Sequence, residues 1–319
     1  MNLSTSNSKL PTEPSSTNRR AASRHFISAI VFLVILAGLD LAIGATLEKG
    51  LRKYFGMDGK IDVLCIGHSR TVLGIDAEML ARETGLKVAK YAVNGANIAD
   101  RYAMIRHFVN EHPEVRLIVY DVEASTFSDD GLSSNSYRLF FPFMGNPEMQ
   151  AYLETQCQSQ KDLVLKKMIR TSRYDEITFS LALRGLFGMN QNLKYGRFDE
   201  ERAKRWIEKG KNRPIKIDPQ SYQAFLSTID FVKSRGVAMM LVDMPTVELL
   251  NQAEWPASNE ARDIFRHLKG QYPNIDYCDL STMYQSNYEM FYDMIHLNAE
   301  GQKIVTSLLA GKVRGIVWQ

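Results

Sequence analysis

Cysteine is scarce in this chain. There are three in 319 residues, Cys65, Cys157 and Cys278, an odd number at spacings that match neither a zinc site nor a redox pair. A disulfide framework and a cysteine-held metal are excluded as organising devices, and at most one bridge could form. Surplus charge is equally sparse: 39 Lys and Arg against 36 Asp and Glu leave +3, too little to predict a nucleic-acid groove. No internal repeat is present. Hydrophobic residues at 45% and charged ones at 24% fit an ordinary globular fold rather than a disordered chain, a collagen or a polytopic membrane protein. The length suits one large domain with appendages.

One segment departs from that average. Residues 26–47 are almost entirely apolar, with Asp40 as the single charge, and match the roughly 20 residues a helix needs to cross a bilayer. Ahead of them lies a Ser-, Thr-, Asn- and Pro-rich stretch that cannot bury apolar surface, so 1–25 reads as a disordered tail. Arg19, Arg20 and Arg24 flank the run and place the N-terminus inside and the remainder outside, although Lys49, Arg52 and Lys53 on the far flank weaken that bias. A cleavable signal peptide is the rival reading, with 26–39 as its core and Ala42, Gly44 and Ala45 near the cut. Either way the rest of the chain is exported. Residues 48–60 read as a stalk. Asp40 is costly inside a bilayer unless paired, so it is expected to face another membrane helix or to lie near the outer interface.

From residue 61 short apolar runs alternate with amphipathic stretches, the pattern of parallel strands joined by helices. Strands are predicted at 61–66, 87–93, 115–122, 236–243 and 275–279. Helices are predicted at 77–84, 98–111, 220–235, 261–268 and 299–309. The run 115–122 is the most hydrophobic and lacks alternation, which places it centrally, covered on both faces. Residues 128–219 lose the rhythm and read as a partly helical, partly irregular insertion with weak helical patches at 163–170 and 200–209. The domain 61–319 is therefore an α/β, flavodoxin-like doubly wound parallel sheet of about five strands, ordered 2-1-3-4-5.

In such sheets ligands bind beyond the carboxyl ends of the strands, and the polar residues gather there. The first strand ends in Gly67, His68, Ser69 and Arg70, the second in Asn94, Gly95, Ala96 and Asn97, the third in Asp121 and Glu123, and the fourth in Asp243. Ser69 follows a glycine at a strand-to-helix turn, where a hydroxyl can point away from the sheet and an N–H can face an anion; an isolated serine there is equally a helix cap. His296 stands three residues after Asp293, close enough for the carboxylate to hold the imidazole. Nucleophile, base, orienting acid and oxyanion donors are thus all available. Asp121 and Glu123 alternate onto one face, either as a carboxylate pair or as a brace for neighbouring loops. Arg70 suits a substrate carboxylate or an internal partner. His68, on the opposite face from its neighbours, reads as filling. The aromatic group Tyr137, Phe140, Phe141 and Phe143 suits a groove or a small core.

Three blocks, "IGHSRTVLGID", "VNGAN" and "YDMIHLNAEGQ", resemble those of the SGNH (GDSL-type) hydrolase superfamily over about residues 61–309. The resemblance implies Ser69 as nucleophile, His296 as general base and then acid, Asp293 as orienting carboxylate, and the Ser69 and Gly95 amides as oxyanion donors, with Asn97 able to add a side-chain donor. It implies no cofactor and no metal. Arg70, Asn94, Asp121 and Glu123 are the candidate substrate-binding residues. The family's third block, Gly-x-Asn-Asp, is replaced by "YDVEASTF", which supplies carboxylates in place of an asparagine. The acidic third block and the N-terminal anchor resemble membrane-anchored members similar to the D-alanyl transfer protein of teichoic acid biosynthesis and to polysaccharide O-acetylation proteins. That implies an extracytoplasmic esterase or O-acyltransferase acting on an acylated cell-surface glycan or glycolipid, beside a membrane-bound O-acyltransferase and without nucleic acid. The alternative expectation is a non-catalytic docking partner of such an acyltransferase.

Overall fold

Parallel strands need crossover connections, and this chain supplies helices between its strands. The structure, a computed structural model, describes residues 16–128, 135–210 and 215–318. In chain order the elements are α1 (Ser16–Phe55), β1 (Val63–Gly67), α2 (Ser69–Gly74), α3 (Ala77–Thr84), β2 (Val88–Ala92), α4 (Ile98–Glu111), β3 (Leu117–Val122), α5 (Pro147–Gln156), α6 (Gln160–Met168), α7 (Glu176–Leu186), α8 (Glu200–Glu208), α9 (Pro219–Ser234), β4 (Ala238–Asp243), α10 (Glu248–Ala253), α11 (Ala257–Gln271), β5 (Ile275–Asp279) and α12 (Ala299–Val317).

All strand pairs are parallel, in the order β2-β1-β3-β4-β5. β1 and the central β3 are buried along their whole length, as expected where helices cover both faces of a sheet. One core lies under α1, α4, α9 and α11, where Leu51, Ile105, Ile229 and Phe265 meet the sheet. The other lies under α3 and α12, built from Leu80, Val305 and Leu309. Caps explain the helix starts: Asp76 accepts from the Met79 amide, and Asn97 and Asp100 form a reciprocal capping box on α4.

The expected stalk and tail need correction. Residues 48–60 are not a stalk, because α1 runs unbroken to Phe55 and buries Leu47, Leu51, Phe55 and, just beyond, Met57 in the first core. Burial of such side chains is worth about 1.5–3 kcal/mol each, which no solvent-exposed linker would gain. Of the expected tail, residues 1–15 and the side chains of Arg19 and Arg20 lie outside the described residues, while 16–25 are helical. Asp40 is paired within the chain. Its carboxylate accepts from the Arg170 amide (2.7 Å), the Thr171 amide (2.9 Å) and the Thr171 hydroxyl (2.5 Å). The insertion itself is more regular than expected, carrying a 3-10 turn (Ser136–Phe143) and α5 to α8. Its aromatics Tyr137, Phe140, Phe141 and Phe143 are buried as a small core beside Phe55 and Tyr91, not a groove.

α7 lies against α1 at a crossing made of glycines. A Cβ on Gly50 would fall 2.2 Å from the Ala182 carbonyl oxygen, and one on Gly185 would fall 1.9 Å from the Gly50 carbonyl oxygen. Both obstacles are backbone, so neither helix can yield without separating. Gly50→Ala and Gly185→Ala are each expected to destabilise by about 1–3 kcal/mol through overpacking. Gly311→Ala in α12, where a Cβ meets nothing, should instead stabilise by up to about 1 kcal/mol. Thermal unfolding of the detergent-solubilised chain checks both, and an unchanged midpoint for Gly185→Ala would refute the close crossing.

Candidate active site

The position of Ser69 depends on a glycine. A Cβ at Gly67 would sit 2.0 Å from the Thr71 hydroxyl and 2.7 Å from the Asp121 Cβ, so only glycine lets β1 turn directly into α2. Ser69 is the first residue of α2, and His68 caps that helix, its Nδ1 accepting from the Arg70 amide at 3.3 Å. At the other end of the chain, residues 291–297 form a pinched loop, closed by an antiparallel bridge between Phe291 and Leu297. Asn298 holds it. Its side-chain oxygen accepts from the Glu300 and Gly301 amides while its Nδ2 donates to the Glu289 carbonyl at 2.6 Å. Gly301 must be glycine because a Cβ there would lie 2.2 Å from the Met290 carbonyl oxygen.

Two cross-links join these ends. Gln302 on α12 donates to the Leu73 carbonyl at the end of α2 (2.8 Å), and the Thr306 hydroxyl accepts from the Asp76 amide (3.0 Å). The consequence is a contact between residues 227 positions apart: Ser69 Oγ lies 2.7 Å from His296 Nε2. On the other side of the ring, His296 Nδ1 lies 2.8 Å from Asp293 Oδ2, and Asp293 Oδ1 accepts from the Ile295 (3.0 Å) and His296 (2.9 Å) amides. A carboxylate at Nδ1 holds the proton there and leaves the Nε2 lone pair for the serine hydroxyl. Burial opposes ionisation of Asp293, but the His296 ring and the two amides outweigh it and hold its pKa below the usual carboxylate value.

The expected oxyanion donors have unequal freedom. Gly95, at φ +78°, follows β2 in a turn. Neither its amide nor that of Ser69 has an acceptor among the described residues. Asn97 is largely committed, since its amide donates to Asp100 (2.8 Å) and its side-chain oxygen accepts from the Asp100 amide (2.9 Å), leaving only Nδ2. Asn94 is exposed in the same turn.

Below the triad the expected substrate-binding residues form a buried ionic network instead. Arg70 is buried and donates to Glu123 (3.2 Å), Asp243 (3.1 Å) and the Met244 carbonyl (2.5 Å). Asp243 in turn accepts from Arg262 at 3.0 Å. Burial works against the Arg70 charge, yet Asp121, Asp243 and Glu123 together raise its pKa. Of the two readings of Arg70, internal bracing is the one its contacts describe. Asp121 is buried too, 3.6 Å from His68 Nε2. His68 does more than fill space, with its Nδ1 3.4 Å from Ser69 Oγ and its Nε2 3.4 Å from Glu123. The third block thus supplies carboxylates that surround Arg70 and the His68 ring, with Glu123 also reaching the cavity beside them.

Beside the triad lies a cavity of about 680 Å³, within the usual range for small-ligand sites. Its wall includes Asp293, Tyr292 and Ile295, its floor Arg70, Glu123, Asp243 and Arg262, and its far side Arg197, Arg202 and Trp206 on and before α8. Neither Ser69 nor His296 lines it, so the cavity adjoins the triad through Asp293. The α8 residues were missed in the sequence because the insertion has no strand rhythm to place them; Trp206 within an amphipathic patch was the available signal.

No protein-family model and no curated protein matches the sequence. Among solved structures, the chain is similar to a putative acylhydrolase from Bacteroides fragilis, at 12% identity and TM-score 0.40, covering 81% of this chain and 91% of that one. It is also similar to a putative lipolytic protein of the G-D-S-L family from Desulfitobacterium hafniense, at 11% identity and TM-score 0.40, covering 79% and 99%. A third is the C-terminal catalytic domain of peptidoglycan O-acetyltransferase A from Streptococcus pneumoniae, at 10% identity and TM-score 0.36, covering 82% and 94%.

Glu254 also lines the cavity, and burial together with the nearby Glu123 charge raises its pKa to about 7. An unfolded glutamate titrates near about 4.3. The folded state therefore favours the protonated form, a contribution fully present below about pH 4.3 and lost as pH rises through about 7. Glu254→Gln should match wild type in stability at pH 4 and exceed it at pH 8, as measured by denaturant unfolding at the two pH values. Equal stabilities at pH 8 would contradict the raised pKa.

Proposed function

We propose that the protein is a membrane-anchored serine acyl-ester hydrolase or O-acyltransferase of the SGNH type, with Ser69, His296 and Asp293 as its triad. The observation that carries this reading is the unbroken line from Asp293 through His296 to the Ser69 hydroxyl, with heavy-atom separations of 2.8 and 2.7 Å. Ser69 Oγ attacks an ester carbonyl while His296 Nε2 takes its proton. The Ser69 and Gly95 amides, with Asn97 Nδ2, receive the charge on the carbonyl oxygen. Collapse expels the alcohol, protonated by His296, and leaves an acyl-enzyme. Water as acceptor gives an esterase, and a sugar hydroxyl gives a transferase. Losing one oxyanion donor costs about 3 kcal/mol in comparable sites, so carboxylates in place of the third-block asparagine favour slow turnover.

The substrate we assign is an acylated cell-surface glycan or glycolipid. Trp206 offers a ring face to a sugar, and Arg197 and Arg202 offer cations to an acidic one. α1 contains one stretch long and apolar enough to cross a membrane, within 24–55. With the N-terminus inside, that stretch holds the domain on the extracytoplasmic side, where a membrane-bound O-acyltransferase would be its partner.

A fluorophosphonate probe is expected to label wild-type protein at Ser69 and to leave Ser69→Ala unlabelled. His296→Ala should lower p-nitrophenyl acetate hydrolysis by about 10²- to 10⁴-fold, the usual worth of a general base. Equal labelling of wild type and His296→Ala would remove the triad, and no labelling of wild type would favour the docking role. A reporter fused after Gln319 should be active only outside the cytoplasm; cytoplasmic activity would overturn the orientation.

A further inference from the structure

The exposed apolar run of α1 extends past Asp40 to Leu41 (52% exposed) and Ile43 (48%). From residue 26 to residue 43 it has 18 residues, about 27 Å at 1.5 Å per residue, against a hydrocarbon core of about 30 Å. A bilayer around this helix therefore reaches the level of residues 40–45. The insertion is already present there: Arg170 and Thr171 bind Asp40, and the Tyr174 hydroxyl donates to the Gly44 carbonyl.

The chain leading into that contact is unusually apolar for a surface. On α6, Val164 (53% exposed), Leu165 (47%) and Met168 (77%) are followed by Ile169 (41%). Lys161, Val164, Leu165 and Met168 follow i, i+3, i+4, i+7 spacing and so form one face, with a cation at its start. Ile177 (56% exposed) opens α7 on the other side of the same contact. An apolar face with a basic edge is the pattern of a helix lying in a membrane interface.

We propose that this α6 face, with Ile169 and Ile177, lies in the outer interfacial layer of the bilayer that α1 crosses, so that the domain is seated on lipid as well as anchored through it. The proposal rests on reading α1 as a span. Lipid is favoured as occupant because the patch adjoins α1 at residues 40–45, the depth at which its exposed apolar run and the hydrocarbon core both end. Two contact chains also bring the rim of the sheet to the membrane-facing end. α1 reaches the amino ends of the strands at its far end, where Arg52 binds Glu111 and Gly56 lies against Val88. α5 joins Tyr152 to Asp100, in the first turn of α4 beside the rim, and leads on into α6 and Asp40.

The test is site-directed spin labelling of the full chain in nanodiscs of phosphatidylcholine and phosphatidylglycerol. Labels are placed singly at Ile35→Cys, Met168→Cys, Leu165→Cys and Met189→Cys, with accessibility to oxygen compared with that to a water-soluble nickel chelate. The three native cysteines are buried. Ile35, Met168 and Leu165 are expected to favour oxygen several-fold, and Met189, exposed beyond the end of α7, to favour nickel. If Ile35 favours oxygen but Met168 and Leu165 favour nickel, the span stands and the seating is refuted. If Ile35 also favours nickel, the span reading itself fails. Protection of Met168 and Leu165 from both reagents means that another protein surface covers the face, which also refutes contact with lipid.

Discussion

The 2.7 Å contact between Ser69 and His296 is a constraint on the whole fold, because it joins the start of the first crossover to the loop that follows the last strand. Neither residue is held by its own loop alone. Gly67 lets the chain turn tightly enough to present Ser69, Asn298 and Gly301 pin the pinched loop that carries His296, and Gln302 and Thr306 tie α12 to α2 and the loop after it. These are hydrogen bonds to backbone groups within the domain, where losing one partner leaves the other unsatisfied and costs about 1–3 kcal/mol. Their effect is positional, since a displacement of about 1 Å at a reacting centre costs far more rate than stability.

Beneath that contact lies an ionic layer of Arg70, Glu123, Asp243 and Arg262 with His68 and Asp121. Such a layer adds little net stability compared with an apolar core of the same volume, yet removing one member strands the others at a cost of about 3–5 kcal/mol. It therefore acts as a registration device, fixing the ends of β1, β3 and β4 relative to one another. It also gives the serine a second imidazole neighbour, His68, whose Nδ1 receives the Arg70 amide and whose Nε2 faces carboxylates.

Much of this was legible in the sequence for identifiable reasons. Strand order followed from uninterrupted apolar runs separated by helical periods; Ser69 was singled out at a strand end, and Asp293 and His296 by their spacing before the last helix and by the family resemblance. The motif around Asp293 and His296 was readable because Asn298 and Gly301 have local backbone tasks. What escaped was set by distant contacts. The burial of Arg70 depends on Asp243, 173 residues away, and the covering of Asp40 depends on Thr171, neither of which any window of sequence contains. Within the insertion the patches read at 163–170 and 200–209 anticipated α6 and α8, while α5 and α7 went unread because they are short and expose much of their surface.

The unbroken passage of α1 from apolar run to core changes how the domain can search for its target. A flexible tether would let an enzymatic head sweep a hemisphere above its anchor and sample polymer far from the surface. A helix fused into the core through glycine-tight packing with α7 works as a mast instead of a rope. If α1 spans the membrane as proposed, rotation about the membrane normal and lateral diffusion remain, while reaching away from the anchor is suppressed. On the proposed reading, encounter with substrate becomes a two-dimensional problem, limited to esters carried within a fixed height of the lipid.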